Sequence, residues 1–93
     1  MKMKAATLIE KLNKAVPECN AVDTEEWNGN KGGIWFKGSE DITEDDIRIF
    51  DPWISSEEQG ASYSIHPAVF KLVTENGFYF EPWDNGTMMA YFI

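Results

Sequence analysis

Apolar residues near the start of the chain recur at the three- and four-residue spacing of an α-helix. This spacing predicts an amphipathic helix from Met3 to Val16 with a lysine-rich outer face. Pro17 ends the helix, because the residue before a proline is driven out of the α-helical region. The apolar stripe consists of Ala5, Leu8, Ile9, Leu12, Ala15 and Val16, and the outer face of Lys4, Thr7, Lys11 and Lys14.

A hairpin is predicted after this helix. Residues 20–27 and Ile34–Lys37 have the composition of strands, and the stretch 28–33 between them is rich in Asn and Gly. These two residue types supply the positive φ angles that hairpin turns need. We therefore expect the two strands to pair in an antiparallel arrangement.

The acidic stretch that follows, 38–46, is open to two interpretations. Thr43 followed by Asp46 resembles a capping box, which would begin a short helix. The alternation and β-branched residues of Ile47–Phe50 instead favour a strand. We prefer a loop followed by this strand, and we expect residues 55–62 to form a polar, mobile loop.

A second helix and a second hairpin complete the pattern. Pro67 is suited to the first helical position and Gly77 to the left-handed position after the helix. Strands are then predicted at Phe78–Trp83 and Met88–Ile93, with a turn at Asp84–Thr87 between them. The apolar stripe of this helix is formed by Val69, Phe70, Leu72 and Val73.

These elements predict a single α+β domain over residues 1–93, with two helices packed on one antiparallel sheet in the order α-β-β-β-α-β-β. A weak α-β-β duplication is also conceivable, because Glu25–Trp27 and Glu81–Trp83 both precede a turn and an aromatic strand. Two unrelated hairpins explain the same similarity equally well.

The C-terminal hairpin has apolar residues on both faces. A two-residue turn at Asn85–Gly86 would pair Phe78 with Ile93 and Phe80 with Tyr91. One face would pack on the helices, and the other would need cover from the chain or from a partner. The favoured explanation is that loop 51–62 covers it with Trp53 as a lid. The alternative is a homodimer or partner surface on the Met88–Ile93 hairpin.

Composition and charge exclude several classes of protein. Apolar residues make up 43% of the chain, which predicts a folded core. The formal net charge is −8, which disfavours direct binding to nucleic acid or to an anionic membrane. Residues 1–14 have an excess of lysine, whereas residues 18–58 hold twelve acids and only three bases. We therefore expect a small basic patch and a large acidic field, which governs the choice of partner.

The chain contains little that indicates catalysis. Cys19 is the only cysteine, and one cysteine cannot form an intramolecular disulfide or a zinc site. We expect a cytoplasmic protein, because a lone cysteine fits a reducing compartment. We also expect no cofactor and no metal. The first residues do not form a signal peptide, because Glu10 and Lys11 interrupt the apolar run. His66 precedes Pro67 and is expected to act locally at a helix start. The acids after Asp41 do not fit a calcium loop, since Pro52 occupies the twelfth position.

The sequence favours an interaction module that binds a protein with a basic surface. In size, acidity and lack of catalytic motifs the chain resembles small phage-encoded inhibitors of host defence, the anti-CRISPR and anti-restriction proteins. The resemblance implies inhibition of a nucleic-acid-handling enzyme, with carboxylates imitating phosphates. Alternatives are a homo-oligomeric protein and a ligand-binding protein with a pocket lined by Trp53, Tyr63 and Trp83. The candidate partner-binding residues are Glu40, Asp41, Glu44, Asp45, Asp46, Trp53 and Trp83.

Overall fold

Three α-helices and six strands lie along residues 4–92, which are the residues that the computed structural model describes. They form an α+β fold, as the sequence predicts. The helices are α1 (Ala5–Ala15), α2 (Glu25–Asn28) and α3 (Pro67–Glu75), and a 3₁₀ turn spans Pro17–Cys19. The strands are β1 (Ala21–Asp23), β2 (Ile34–Phe36), β3 (Phe50–Asp51), β4 (Ser64–Ile65), β5 (Phe78–Asp84) and β6 (Thr87–Phe92).

Four strands form an antiparallel sheet in the order β1-β2-β6-β5, so that β6 lies in the middle. One face of this sheet packs against α1 and α3. The side chains of Leu8 and Leu12 from α1 and of Val69 and Val73 from α3 are buried in one cluster. The sheet contributes its alternating residues to the same cluster, which are Ala21, Ile34, Phe36, Phe78, Met88 and Ala90.

Helix α1 confirms the predicted periodicity, with Leu8 and Leu12 fully buried. It is shorter than predicted, and Ala15 is exposed although its spacing placed it on the apolar face. The predicted first residue, Met3, lies outside the described residues. Among residues 4–92, no helix has the length and apolar character needed to cross a membrane.

The side chain of Asn13 joins α1 to the edge strand β1. Its amide oxygen accepts a hydrogen bond from the Ala21 N–H at 2.8 Å, and its amide nitrogen donates to the Ala21 carbonyl at 2.9 Å. A side-chain amide has the same donor and acceptor as a backbone peptide, so Asn13 pairs with Ala21 as a neighbouring strand would. This buried pairing closes one edge of the sheet.

The strand predicted over residues 20–27 is only partly correct. Strand β1 ends at Asp23, because the Asp23 carboxylate accepts the Glu25 N–H at 2.9 Å and turns the chain into α2. Gly29, with φ of 82°, ends α2 in the left-handed region. The predicted match of Glu25–Trp27 to Glu81–Trp83 is wrong, because the first segment is helical whereas the second lies in a strand. The order helix-strand-strand does recur, as α1-β1-β2 and as α3-β5-β6, and β2 and β6 are neighbours in the sheet.

The third predicted strand does not join the main sheet. Strand β3 pairs with β4 in a separate two-stranded sheet, so the prediction of one sheet is wrong. The side chain of Gln59 lies beside this pair and forms two hydrogen bonds with the backbone of Ile65, at 2.8 and 2.9 Å. The segment 55–62 is a loop as predicted, and Gln59 ties it to β4.

Helix α3 begins and ends as predicted. The Nδ1 atom of His66 accepts the Ala68 N–H at 3.2 Å, so this histidine is the N-terminal cap and Pro67 is the first helical residue. Gly77 follows the helix with φ of 82°. The local role expected for His66 is confirmed.

The predicted register of the C-terminal hairpin is wrong by one residue. Phe78 pairs with Phe92 and Phe80 with Ala90, because a β-bulge between Pro82 and Asp84 adds Trp83 to one strand only. Phe78 and Phe80 consequently share the core face with Met88 and Ala90, and Tyr91 lies on the opposite face. The predicted partner Ile93 lies outside the described residues.

Replacement of Asn13 by alanine is expected to destabilise the fold by about 1–3 kcal/mol, since the buried N–H and carbonyl of Ala21 lose their partners. Urea denaturation followed by circular dichroism measures this change. The control Lys11→Ala alters an exposed position of the same helix and should change the free energy of unfolding by less than about 0.5 kcal/mol. Equal effects of the two substitutions would contradict the role of Asn13.

The thiol of Cys19 is expected to make stability depend on alkaline pH. Burial, reinforced by the charge of Glu18, raises the pKa of Cys19 from 9.0 to about 11. Because the folded state holds this proton more tightly, the contribution is complete below pH 9 and is lost as the pH rises through 11. The free energy of unfolding of the wild type should fall relative to Cys19→Ala by about 2 kcal/mol between pH 8 and 11. Parallel pH profiles for the two proteins would refute this assignment.

Candidate functional site

The second face of the four-stranded sheet is aromatic. Met89 in the central strand β6 is paired with Trp35 of β2 on one side and with Glu81 of β5 on the other. These three side chains therefore form one row on this face. Tyr91 and Tyr79 are paired in the next row, with ring centroids 6.1 Å apart. Neither α1 nor α3 covers this face, because their buried residues belong to the opposite one.

Helix α2 places Trp27 over this second face. The ring of Trp27 lies 5.1 Å from that of Trp35 and 5.7 Å from that of Trp83, with edge-to-face geometry in both pairs. Such geometry brings the positive edge of one ring to the negative face of the next. We call Trp27, Trp35 and Trp83 the tryptophan cluster.

Local hydrogen bonds hold α2 in this position. The Asp23 carboxylate accepts the N–H groups of Glu25 at 2.9 Å and Gly32 at 3.3 Å, which joins both ends of the connection. The buried hydroxyl of Thr24 donates to the Asn30 carbonyl at 2.7 Å. It also accepts a hydrogen bond from the Gly33 N–H at 3.1 Å. The segment between β1 and β2 is thus fixed from within, and Trp27 is presented by a constrained helical turn.

Met89 is buried on this face, between its strand neighbour Trp35 and the hydroxyl of Tyr91. Although Met89 lies on the second face, only 2% of it is exposed, and the Tyr91 hydroxyl contacts its sulfur at 3.2 Å. Tyr91 in turn lies against Gly33, where a Cβ atom would overlap its ring. The prediction that Trp53 covers this face is wrong: Trp53 is 74% exposed, whereas Trp27 packs against Trp35 on this face.

The cover is incomplete, so aromatic surface remains open to solvent. The bulge sets Trp83 at the rim of the face, where 64% of it is exposed. Tyr79 and Trp27 also remain accessible. Large apolar side chains that stay exposed together mark interaction sites more often than isolated ones do. Trp83 is therefore the sequence-predicted residue that the structure places in a defined surface site.

Charged groups surround the cluster. The Lys37 Nζ atom lies over the Trp35 ring, 5.6 Å from its centroid, as a cation–π pair. Lys31 pairs with Glu25 at 3.5 Å, whereas Glu26 and Glu81 have no cationic partner among residues 4–92. Burial, followed by the charge of Glu81, raises the pKa of the Tyr91 hydroxyl above its ordinary value. The rim of the cluster thus carries carboxylates available to a partner.

The acidic residues predicted as one site are distributed by a tight turn. The Thr43 N–H donates to the Ile47 carbonyl and the Asp46 N–H to the Thr43 carbonyl, each at 2.9 Å. Asp46 adopts φ of 63° in the left-handed region, which ends the helical turn that a capping box would begin. The segment is therefore a turn and not a helix.

The five acids predicted as one site therefore lie at separate places on the surface. The carboxylate of Glu40 lies against Gly86 in the β5–β6 turn, three residues after Trp83 in the chain. Glu44 and Asp45 line a cavity of about 280 Å³ together with Glu18 and His66. Asp46 lines a different groove, and Asp41 is exposed. Only Glu40 thus joins Trp83 at one place.

The predicted aromatic pocket is not formed. Tyr63 packs against Phe50 at 5.6 Å, and Trp83 packs against Trp27. Trp53 contacts no other aromatic ring within residues 4–92, and its backbone N–H donates to the Asp51 carboxylate at 3.0 Å. The three rings therefore share no cavity.

A groove of about 540 Å³ lies beside the two-stranded sheet. Its rim contains the exposed side chains of Ile42, Ile47 and Ile54, and Arg48 contributes its guanidinium. The Arg48 Nε atom is buried without a hydrogen-bond partner. In the described part of the chain, no group of three or more His, Cys, Asp or Glu side chains is arranged to hold a metal ion.

Comparison with family models, with characterised proteins and with solved structures finds no significant match to this chain.

Substitution of Trp27 by alanine is expected to cost about 1–3 kcal/mol of stability, because it removes a large side chain and its two ring contacts from the second face. It should also reduce the near-ultraviolet circular dichroism that arises from coupled indole rings. The matched control is Trp53→Ala, which removes an exposed tryptophan without ring partners and should cost less than about 0.5 kcal/mol. A similar loss in both variants would mean that Trp27 does not hold the second face.

Proposed function

We propose that this protein is an interaction module whose tryptophan cluster binds a protein partner with a basic surface. The observation that carries the proposal is the exposed ring of Trp83, packed on Trp27 at the rim of a face whose carboxylates, Glu26 and Glu81, lack a cation. Tryptophan is the residue type most enriched in the energetic centres of protein interfaces. An exposed aromatic area bordered by carboxylates is complementary to a surface rich in Lys and Arg.

The unpaired acids support a basic partner. All sixteen acidic residues lie within residues 4–92, and Glu25 is the one that forms an ion pair with a cation of that segment. The other carboxylates are therefore free of side-chain cations and contribute to a negative field. Such a field accelerates encounter with a positively charged partner and selects against negatively charged ones.

The same charges make a second copy of the chain a poor occupant of this face. Two copies that met through the tryptophan cluster would bring Glu26 and Glu81 of each close to the same groups of the other, and like charges at an interface are costly. Strand β6 of the Met88–Ile93 hairpin is also paired on both sides, with β2 and β5, and has no open edge. A basic partner avoids the repulsion between carboxylates, and it can bind the exposed rings without pairing with β6.

In a more specific form of the proposal, which we call the finer form, the partner is a nucleic-acid-handling enzyme of the cytoplasm that this protein inhibits. The surface of such an enzyme that holds phosphates is basic, and the carboxylates would occupy it in place of the phosphates. A lone, buried Cys19 is consistent with a reducing compartment. In this form the protein would compete with nucleic acid for the enzyme and would not bind nucleic acid itself.

Capture experiments with charge-reversed variants test the proposal. The immobilised protein is incubated with nuclease-treated lysate, and retained proteins are eluted with a salt gradient or with double-stranded DNA. We expect the face variant Glu26→Lys, Glu40→Lys, Glu81→Lys to lose at least ten-fold in retention. Salt should release the partner, because exposed charge pairs are screened. Displacement by DNA would support the finer form.

Two variants with the same net charge serve as controls. Glu10→Lys, Glu57→Lys, Glu75→Lys changes exposed acids away from the cluster and should retain the partner. Glu44→Lys, Asp45→Lys, Asp46→Lys reverses the acidic turn. If only this last variant lost retention, the partner would bind the turn and the assignment to the tryptophan cluster would be overturned. Retention that is insensitive to salt would overturn the electrostatic basis.

A further inference from the structure

We infer that Trp83 binds an arginine side chain of the partner by stacking, in preference to lysine. This inference rests on the proposed function, because it names the chemical group that the tryptophan cluster recognises. It follows from the geometry of three features: the free face of the Trp83 ring, the carboxylates beside it, and the cation already seated on the neighbouring Trp35 ring.

The first feature is the open ring face of Trp83. Trp27 meets Trp83 at 69°, so these two rings are in edge-to-face contact and not stacked. An edge-to-face contact occupies at most one face of Trp83, and 64% of the residue is exposed. At least one broad side of the indole is therefore accessible to a planar group.

The second feature is the position of the carboxylates. Glu81 lies two residues before Trp83, and Asp84 directly follows it. Asp84 uses one oxygen to accept the Gly86 N–H at 2.9 Å, and neither acid has a cationic partner among residues 4–92. An arginine stacked on the ring could donate N–H groups from its edge to these oxygens at the same time. A lysine ammonium has no planar face, so it cannot combine stacking with a paired, in-plane interaction.

The third feature is the internal lysine on this surface. Lys37 is placed over Trp35 at 5.6 Å from the ring centroid, which shows that the cluster already holds one cation on an indole face. Lys37 occupies the Trp35 site, so an incoming cation is directed to Trp83. Arginine exceeds lysine on such a site because its guanidinium is planar and more weakly hydrated.

The arginine must come from another protein. Arg48 is the only arginine of this chain, and its guanidinium is partly buried in the groove beside the two-stranded sheet. A second copy of the chain therefore offers no free arginine to Trp83.

Two peptides of equal charge test the inference. A peptide of alternating Gly and Arg and its counterpart of alternating Gly and Lys are titrated into the protein, and indole N–H resonances are followed by NMR. We expect the arginine peptide to bind at least about five-fold more tightly and to shift the Trp83 resonance most. Trp83→Ala should lower the affinity for the arginine peptide to that for the lysine peptide. Trp53→Ala, which removes another exposed tryptophan, should leave the preference intact.

The possible failures are distinguishable. Equal affinity for the two peptides, or equal effects of Trp83→Ala and Trp53→Ala, would overturn the inference about arginine and leave a charge-driven interaction module. Absence of binding by both peptides would count against the proposed function itself. Trp83→Phe provides a second variant that keeps an aromatic face, and it should retain part of the preference. Circular dichroism of each variant establishes that it is folded.

Discussion

The pairing of the Asn13 side chain with the backbone of Ala21 fixes the geometry on which the surface site depends. It holds β1 at the edge of the sheet and against α1, and β1 leads directly into α2. Helix α2 is a single turn and has little stability of its own. Its position is therefore inherited from β1, and so is the position of Trp27 on the second face of the sheet.

The two faces of the sheet solve the same packing problem in different ways. One face is covered by two amphipathic helices, and its side chains form the main core. The other carries the short helix α2, whose Trp27 packs against Trp35, and Met89 is buried there beside the Tyr91 hydroxyl. A single ring cannot exclude water from a whole sheet face, so exposed aromatic area remains at Trp83. The feature that completes the fold is thus also the feature that offers a surface to a partner.

The spacing of apolar residues predicted α1 and the buried stripe of α3, and the turn residues Asp84–Thr87 predicted the C-terminal hairpin. The remainder depended on single side chains. Strand β1 ended early because of the Asp23 carboxylate, and the hairpin register shifted because Trp83 bulges beside Pro82. Of the tryptophan cluster, the sequence identified Trp83 as a candidate partner-binding residue, but not Trp27 or Trp35. Their meeting requires the position of α2, which only the hydrogen bonds around Asp23 and Thr24 determine.

The central place of β6 in the sheet affects how the chain reaches its fold during synthesis. Residues 87–92 leave the ribosome after every other described element, yet β2 and β5 both require them as a partner. Until then the sheet consists of the short β1–β2 pair, and a two-stranded ribbon is at best marginally stable in water. The four-stranded sheet therefore cannot form until β6 has been synthesised.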